Sequence, residues 1–236
     1  AAPLVFFPSM LPMALATALV PAIANAAAEK RYNVANRQIY QSIRLTIIMG
    51  MVFTSFFASC SHELAELVYP GQNAGEILHL LAYTGVFLYL QQTMLGILNG
   101  LAKERAMLIN TLAGSIIRLA AIWFFMPVWG VNAYIYAVIL GSIVTIALNF
   151  RTISRITGIS IDIGDWVIKP LTAALTGSFL ALLLKQLSAF AGLPQRLALL
   201  LVVCITFSSI IIIFWLMGII KGEDLKRWTG KGNIII

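Results

Sequence analysis

One arginine of this sequence lies deep inside an apolar stretch, where a charge is energetically costly. Arg118 comes 12 residues after Ala106, the start of a predicted membrane span at 106–126. A helix rising about 1.5 Å per residue places it about 18 Å along the span, near the middle of a hydrocarbon core about 30 Å thick. Such a charge should face a polar interior or water.

We therefore predict that Arg118 attracts an anion from the wall of a cavity. The alternative is a structural arginine that is hydrogen-bonded to backbone carbonyls at a helix break. The predicted helix itself favours the cavity, because Asn110 and Ser115 lie at i−8 and i−3 on the same face as the arginine. This face is small and polar, so we include both residues among the candidate cavity residues.

A second polar stripe lies in the preceding apolar stretch. Gln92 and Asn99 follow helical spacing, and Gln91 lies beside them. One interpretation is a hydrogen-bonding wall for a polar substrate. The other is helix packing, because Gly96 and Gly100 form a GxxxG motif and amide side chains can bond between helices. Both roles can coexist on one helix, and the sequence leaves them open.

Prolines are concentrated in the first apolar stretch, at Pro8, Pro12 and Pro21. Proline removes a backbone donor and kinks a helix, and a membrane tolerates this only where other groups satisfy the freed carbonyls. We predict a bending or cavity-facing helix with these residues as hinge or kink positions. The alternative is a set of static kinks that only shape the bundle.

Motifs of catalysis and metal binding are missing from the sequence. His62 and Glu63 are followed by Glu66 rather than by the second histidine of a zinc-protease HExxH motif, and neither GxSxG nor a P-loop occurs. Cys60 and Cys204 lie in separate apolar stretches and form no CxxC pair. We therefore predict that the protein is not an enzyme, with no catalytic residue, metal site or cofactor.

These polar residues must be positioned by membrane helices. The chain has 236 residues, of which 60% are hydrophobic and 11% charged, whereas a soluble domain averages about 45–50% and about 25%. Its net charge of +7 is not concentrated in a basic domain, so no nucleic-acid partner is predicted.

A membrane helix needs about 20 apolar residues, and β-barrel strands are excluded by the length of the runs. Seven stretches qualify, with approximate limits 4–28, 43–61, 77–101, 106–126, 131–150, 167–184 and 197–220.

The basic residues indicate the direction of these spans. Thirteen of the 16 lysines and arginines fall on one side of the predicted membrane, which the positive-inside rule makes cytoplasmic. The N-terminus is then outside, and the C-terminus and the tail at 221–236 are cytoplasmic. The longest link, at 151–166, should lie along the interface. The chain begins inside an apolar run without an initiator methionine, so we expect a preceding transmembrane bundle.

Three stretches together are similar to a known group of transporters: residues 7–23 with their prolines, residues 91–101 followed by Asn110 and Gly114, and residues 223–227 in the tail. Their order along nearly the whole chain resembles the stage V sporulation protein B group of polysaccharide and lipid-saccharide exporters. That group belongs to the multidrug/oligosaccharidyl-lipid/polysaccharide (MOP) flippase superfamily.

The resemblance implies an all-α integral membrane protein, a seven-helix bundle that is the second half of a fourteen-helix transporter. It further implies a flippase of the cytoplasmic membrane, in which alternating access moves a lipid-linked saccharide such as a peptidoglycan or polysaccharide precursor, with a link to sporulation. The implied partners are the bilayer, this substrate and the N-terminal bundle. Two alternatives stay open: a MOP-type drug or metabolite antiporter, and a seven-helix receptor or scaffold protein. No acidic residue lies deep in a span, so cation coupling is not predicted from these residues.

Overall fold

The computed structural model describes residues 7–70, 74–159, 164–188 and 195–216, and within them the chain is helical with no β-strand. A 3-10 turn at Phe7–Ser9 leads into the first helix, and a π-helical turn at Gly164–Ile168 leads into the seventh. The all-α expectation is confirmed. Eight α-helices follow one another in these residues: α1 (Met10–Ala28), α2 (Tyr32–Ser59), α3 (Ser61–Val68), α4 (Gly75–Gly100), α5 (Glu104–Trp129), α6 (Val131–Thr157), α7 (Lys169–Ser188) and α8 (Gln195–Leu216).

Four of these helices are long and apolar enough to cross a membrane by length and composition: α2, α4, α5 and most of α6. Each has 26 to 28 residues, or about 39–42 Å at about 1.5 Å per residue, which exceeds a hydrocarbon core of about 30 Å. The other three predicted spans overlap α1, α7 and α8, and their crossing of the membrane stays a prediction. The tail predicted at 221–236 lies outside the described residues.

One helix of the structure has no counterpart among the predicted spans. α3 contains eight residues, about 12 Å of helix at about 1.5 Å per residue, and is too short to cross a bilayer. It follows directly on α2, from which it is separated at Cys60. Its buried residues, Ser61 and Ala65, lie one turn apart on a single face. A short amphipathic helix of this kind escapes a search for long apolar runs.

The second helix begins ahead of the span predicted at 43–61. α2 starts at Tyr32, and Ala35, Ile39 and Ile43 are fully or almost fully buried at four-residue intervals. Because of this buried stripe, the basic segment after α1 forms the first part of a continuous amphipathic helix and not a loop. Arg37 lies on the opposite, exposed side.

The sixth helix extends past the span predicted at 131–150 into the link predicted at 151–166. α6 ends at Thr157, and Gly158 has φ +71°, a left-handed conformation that favours glycine. Its N–H donates to the carbonyl of Ser154 at 2.8 Å. The side chain of Asn36 donates to the carbonyl of Thr157 at 2.7 Å, so α2 satisfies one of the terminal carbonyls of α6. The link predicted at 151–166 therefore begins only at Gly158, and its position along the interface stays a prediction.

The chain forms two compact units. The first takes in Ile48–Tyr83 and the described residues from position 164 onward, and its core is aromatic and aliphatic. There Phe56 meets Phe207 edge to face at 5.0 Å between ring centroids, and Ser55 donates to the carbonyl of Ala174 at 3.2 Å. The second takes in the described residues of Phe6–Ile47 and of Thr84–Asp162. All of the candidate site residues belong to the second unit.

Candidate functional site

The polar face of α5 packs against α6 in an antiparallel contact, which we call the α5–α6 seam. Each helix contributes three positions spaced four residues apart, so that one side of each helix lines the contact. Small and polar residues at this spacing are typical of helices that approach closely within a membrane. The seam residues are Asn110, Gly114 and Arg118 on α5 and Gly141, Thr145 and Asn149 on α6.

At one end the seam is closed by side-chain hydrogen bonds. The amide nitrogen of Asn110 donates to Oδ1 of Asn149 at 2.9 Å and to Oγ1 of Thr152 at 3.2 Å. Asn149 is fully buried and Asn110 is nearly so. The Nδ2 atom of Asn149 has no hydrogen-bond partner among the residues that the structure describes. One donor at this end is therefore unused.

In the middle of the seam two glycines bring the helix backbones together. A Cβ atom added to Gly114 would lie 2.8 Å from the carbonyl oxygen of Gly141 and would collide with Oγ1 of Thr145. A Cβ atom added to Gly141 would lie 2.8 Å from the carbonyl oxygen of Gly114. The hydroxyl of Thr145 donates to the carbonyl of Gly141 at 2.9 Å. The contact is thus reciprocal, and each glycine leaves room for the backbone of the other.

At the other end of the seam, Arg118 lies across Gly141. A Cβ atom on Gly141 would be 2.9 Å from Cβ of Arg118 and 3.1 Å from its Nε atom. The Nε atom is buried and has no hydrogen-bond partner in the described part of the chain, while the residue as a whole is only half-buried. Burial of an unpaired guanidinium nitrogen is costly. α5 runs through this position without a break, so the helix break of the structural alternative does not occur here.

The second polar stripe lies on α4, which packs against α1. A Cβ atom on Gly96 would lie 2.7 Å from Cβ of Ala16, and one on Gly100 would lie 3.0 Å from Cβ of Ile23. The GxxxG motif therefore serves helix packing. Gln92 and Asn99, on the edge of the same face, are exposed in the structure.

The comparisons with known proteins agree with the membrane character of these helices. The MatE family model matches residues 1–124, which is more than half of the chain. The chain belongs to the MatE family. This family consists of membrane transporters of the MOP superfamily, so the resemblance inferred from residues 7–23 and 91–101 is confirmed at the level of the superfamily. The MatE match includes every candidate position on α1, α4 and α5.

A curated relative is also similar along nearly the whole chain. Stage V sporulation protein B of Bacillus subtilis (strain 168) is 24% identical over 235 residues, which are 99% of this chain and 45% of that protein. The chain therefore spans less than half the length of this relative. No solved structure matches the chain. The apolar helices and the MatE match together identify a multi-pass membrane protein.

Within this MatE chain, the structure brings only some of the predicted site residues together. Asn110 and Arg118 belong to one seam, and Ser115 is half-buried on the same helix. Gln91 is half-buried on α4, and its Oε1 atom has no partner among the described residues. The contacts described for α4 are with α1 and α2, whereas those of Arg118 are with α6. A shared cavity for the two sets stays a prediction.

The predicted hinge prolines occupy three different positions around α1. Pro8 lies in the 3-10 turn before the helix, and Pro12 lies in its first turn, where no intrahelical hydrogen bond is lost. Both are buried. Pro21 lies inside the helix and is exposed, and α1 continues from Met10 to Ala28 around it. Of the three, only Pro21 removes a hydrogen bond from the helix interior.

Sequence reasoning missed the contribution of α6 to the α5–α6 seam. Gly141, Thr145 and Asn149 form its side of the seam, and Ser142 next to them is fully buried with its Oγ atom unpaired among the described residues. A signal was available, because small or polar residues recur every four positions in an otherwise apolar stretch. In the described residues, no group of three or more His, Cys, Asp or Glu side chains is placed to hold a metal ion.

Proposed function

We propose that this protein moves a lipid-linked saccharide across the cytoplasmic membrane by alternating access, with Arg118 binding the phosphate groups that join lipid and sugar. The single observation that carries the proposal is the buried Nε atom of Arg118, which has no hydrogen-bond partner among the described residues and lies in the middle of a continuous helix long enough to span a membrane. Membership of the MatE family supports transport, and the similarity to stage V sporulation protein B supports the saccharide-exporter branch.

The chemistry of the substrate explains why an arginine would be needed. A pyrophosphate group carries negative charge that hydrocarbon cannot solvate, so its passage needs counter-charge and hydrogen-bond donors. A guanidinium supplies both in a planar fork that fits phosphate oxygens. The lipid tail can stay in the bilayer, where the exposed apolar side chains of α5, such as Ile116 and Leu119, already provide a matching surface. The sugar would require polar side chains such as Gln91, Gln92, Asn99 and Ser115 as hydrogen-bond partners.

We further propose that seven helices of this chain cross the membrane, with the C-terminus in the cytoplasm, and that they form the second of two bundles. The proposal is supported by the seven apolar stretches and by the sidedness of the basic residues. It is consistent with a match that covers 45% of stage V sporulation protein B. The link to sporulation and the choice between a peptidoglycan and another polysaccharide precursor are supported by that similarity alone.

A flipping assay with the native protein tests the proposal. The protein is reconstituted into vesicles with a fluorescent pyrophosphate-linked lipid saccharide, and a membrane-impermeant quencher measures how fast the label changes leaflet. We expect Arg118→Ala to lower this rate about 10- to 100-fold, since a hydrogen bond to a charged group is worth about 1.5–3 kcal/mol. Arg118→Lys should retain part of the activity, because it keeps the charge and loses the fork.

Arg105→Ala is the matched control. Arg105 lies on the same helix, in its first turn, and is exposed, so its replacement should leave the flipping rate close to that of the unmodified protein. A full flipping rate in Arg118→Ala, at normal expression, would remove this residue from the substrate path. Transport of a lipophilic cation instead of the lipid saccharide would favour the antiporter alternative, although the positive charge of Arg118 is poorly matched to such a substrate.

A further inference from the structure

We infer that Gly141 is a positioning residue for Arg118. Because α6 has no side chain at this position, Nε of Arg118 can lie against the seam, and the rest of the guanidinium stays available to bind an anion. The inference rests on the proposed function, because it assigns a role in the binding of the same phosphate group. It concerns α6, which lies beyond the part of the chain that the MatE model matches.

The geometry shows how closely the arginine and the glycine fit. Long side chains on a helix lean toward the preceding turn, which for Arg118 is the turn of Gly114. The Cβ position of Gly141 lies 2.8 Å from the carbonyl oxygen of Gly114, 2.9 Å from Cβ of Arg118 and 3.1 Å from Nε of Arg118. Carbon atoms in ordinary contact are about 3.5–4.0 Å apart. Any side chain at position 141 would therefore occupy the volume that the arginine uses.

Two of these three neighbours cannot move independently of the helix. The carbonyl oxygen of Gly114 belongs to the backbone, and Cβ of Arg118 is fixed to it, whereas Nε lies on the flexible part of the side chain. A methyl group at position 141 must then either separate α5 from α6 or turn the guanidinium away from the seam. Both changes alter where the charge lies in the membrane span.

Among the described residues, the surroundings give Nε of Arg118 no competing partner. The carbonyl of Gly141 accepts a hydrogen bond from Thr145 at 2.9 Å. Nε of Arg118 has no acceptor among the described residues, and its burial keeps it from compensating with water. An arginine whose position is fixed by packing, and whose Nε has no partner among the described residues, gains the most hydrogen-bond energy when an oxyanion binds. Gly141 thus leaves room for Arg118 against the seam and supplies no side chain that would neutralise its charge.

A double-mutant cycle separates positioning from simple packing. Binding of farnesyl pyrophosphate is measured on the native protein in detergent for the unmodified form, Gly141→Ala, Arg118→Ala and the double variant. We expect each single variant to bind about tenfold more weakly, the size expected for one charge-assisted hydrogen bond. The double variant should bind no more weakly than Arg118→Ala, because the guanidinium on which the glycine acts is then absent.

The controls test whether the effect is specific to the charge. Binding of farnesol, which lacks the phosphates, should be the same in all four proteins. Inorganic pyrophosphate should show the same pattern as farnesyl pyrophosphate if the site recognises the phosphates alone, and the inference holds in either case. Gly177→Ala should leave binding unchanged, because a Cβ atom there meets Ile210 at an ordinary distance of 3.4 Å.

The outcomes distinguish failure of the inference from failure of the proposed function. If the losses of farnesyl pyrophosphate affinity in Gly141→Ala and Arg118→Ala multiplied in the double variant, positioning would be overturned and the role of Arg118 would stand. The same conclusion would follow if Gly141→Ala weakened the binding of farnesol equally. Unchanged binding in Arg118→Ala would overturn both.

A measurement on the unmutated protein covers the case in which Gly141→Ala does not fold. The Nε–H proton of Arg118, assigned through its loss in Arg118→Lys, should exchange with water more slowly than that of the exposed Arg37. Exchange of the two protons at equal rates would contradict the seating of Nε in the seam.

Discussion

Two helix contacts of the second unit are built on glycine, and they differ in what surrounds the glycines. Where α1 meets α4, the neighbours of Gly96 and Gly100 are Ala16, Ile23 and the backbone of Val20, so the contact is apolar and filled. In the α5–α6 seam the glycines are flanked by an asparagine pair on one side and an arginine on the other. Close approach of the backbones is the same in both contacts.

The difference lies in the unused hydrogen-bonding groups. In the seam and directly beside it, Arg118, Ser142 and Asn149 each have a buried polar atom with no partner among the described residues. Buried polar groups in native proteins are nearly always paired, and an unpaired one lowers stability. The α1–α4 contact therefore has the character of a structural contact. The unpaired groups of the seam lower the stability of the fold, as is typical of residues that bind a ligand.

The largest expected effect on stability comes from filling the apolar contact. Gly96→Ala places a methyl group 2.7 Å from Cβ and 3.0 Å from the backbone of Ala16, and overpacking of this kind costs about 1–3 kcal/mol. The loss should appear as a lower unfolding midpoint in mixed micelles, with no preference for charged over neutral ligand among the molecules that still fold.

Gly85→Ala is the matched control for this variant, since Gly85 is also buried in α4. A Cβ atom there meets only Tyr89, at 3.6 Å, and alanine is favoured over glycine inside a helix by about 0.5–1 kcal/mol. Equal stability of the two variants would mean that the α1–α4 contact is looser than the geometry indicates.

The asparagine pair of the seam should give the next largest effect. Asn110→Ala leaves Oδ1 of Asn149 without its donor at 2.9 Å, and interhelical hydrogen bonds in membranes contribute about 0.6–1.7 kcal/mol. Adding Asn149→Ala should cost less than the sum of the single changes, because the second change removes an atom that is already unpaired. Unfolding of the four proteins measures this coupling, and strict additivity would contradict the pairing.

Much of the fold could be predicted from hydropathy alone. The long apolar runs predict α4 and α5 to within a few residues, since a helix that crosses lipid must be apolar over about 20 residues. The same criterion fails for α3 and for the first turns of α2, which are amphipathic. In these segments the burial of one helix face, for instance at Ala35 and Ile39, stabilises the helix although the average hydropathy is low.

The site was predictable on one helix and not on the other. A charge inside an apolar run is visible in any sequence, so Arg118 and its neighbour Asn110 could be singled out. Gly141 and Thr145 are ordinary residues of a membrane helix, and only the packing of α6 on α5 gives them a role. The four-residue spacing of small and polar residues on α6 can indicate a close helix contact, but neither segment encodes which helix is its partner.

A smaller effect is expected for a polar pair that is buried and satisfied. The hydroxyls of Thr46 and Thr93 lie 2.7 Å apart between α2 and α4 and are both buried. Thr46→Val should lower stability by less than about 0.6 kcal/mol, since the remaining hydroxyl can bond to a carbonyl of its own helix. Binding of farnesyl pyrophosphate should be unchanged. Weaker binding in this variant would show that the polar network of the unit extends beyond the seam.

The smallest expected effect concerns the unpaired hydroxyl next to the seam. Ser142 is fully buried, and its Oγ atom has no partner among the described residues. Removing an unsatisfied hydroxyl in Ser142→Ala should therefore leave the unfolding midpoint unchanged or raise it. A lower midpoint would mean that Oγ has a partner in the folded protein, such as a bound water. The comparison would then change, because Ser142 would no longer distinguish the seam from the α1–α4 contact, and the difference would rest on Nε of Arg118 and Nδ2 of Asn149, which have no partner among the described residues.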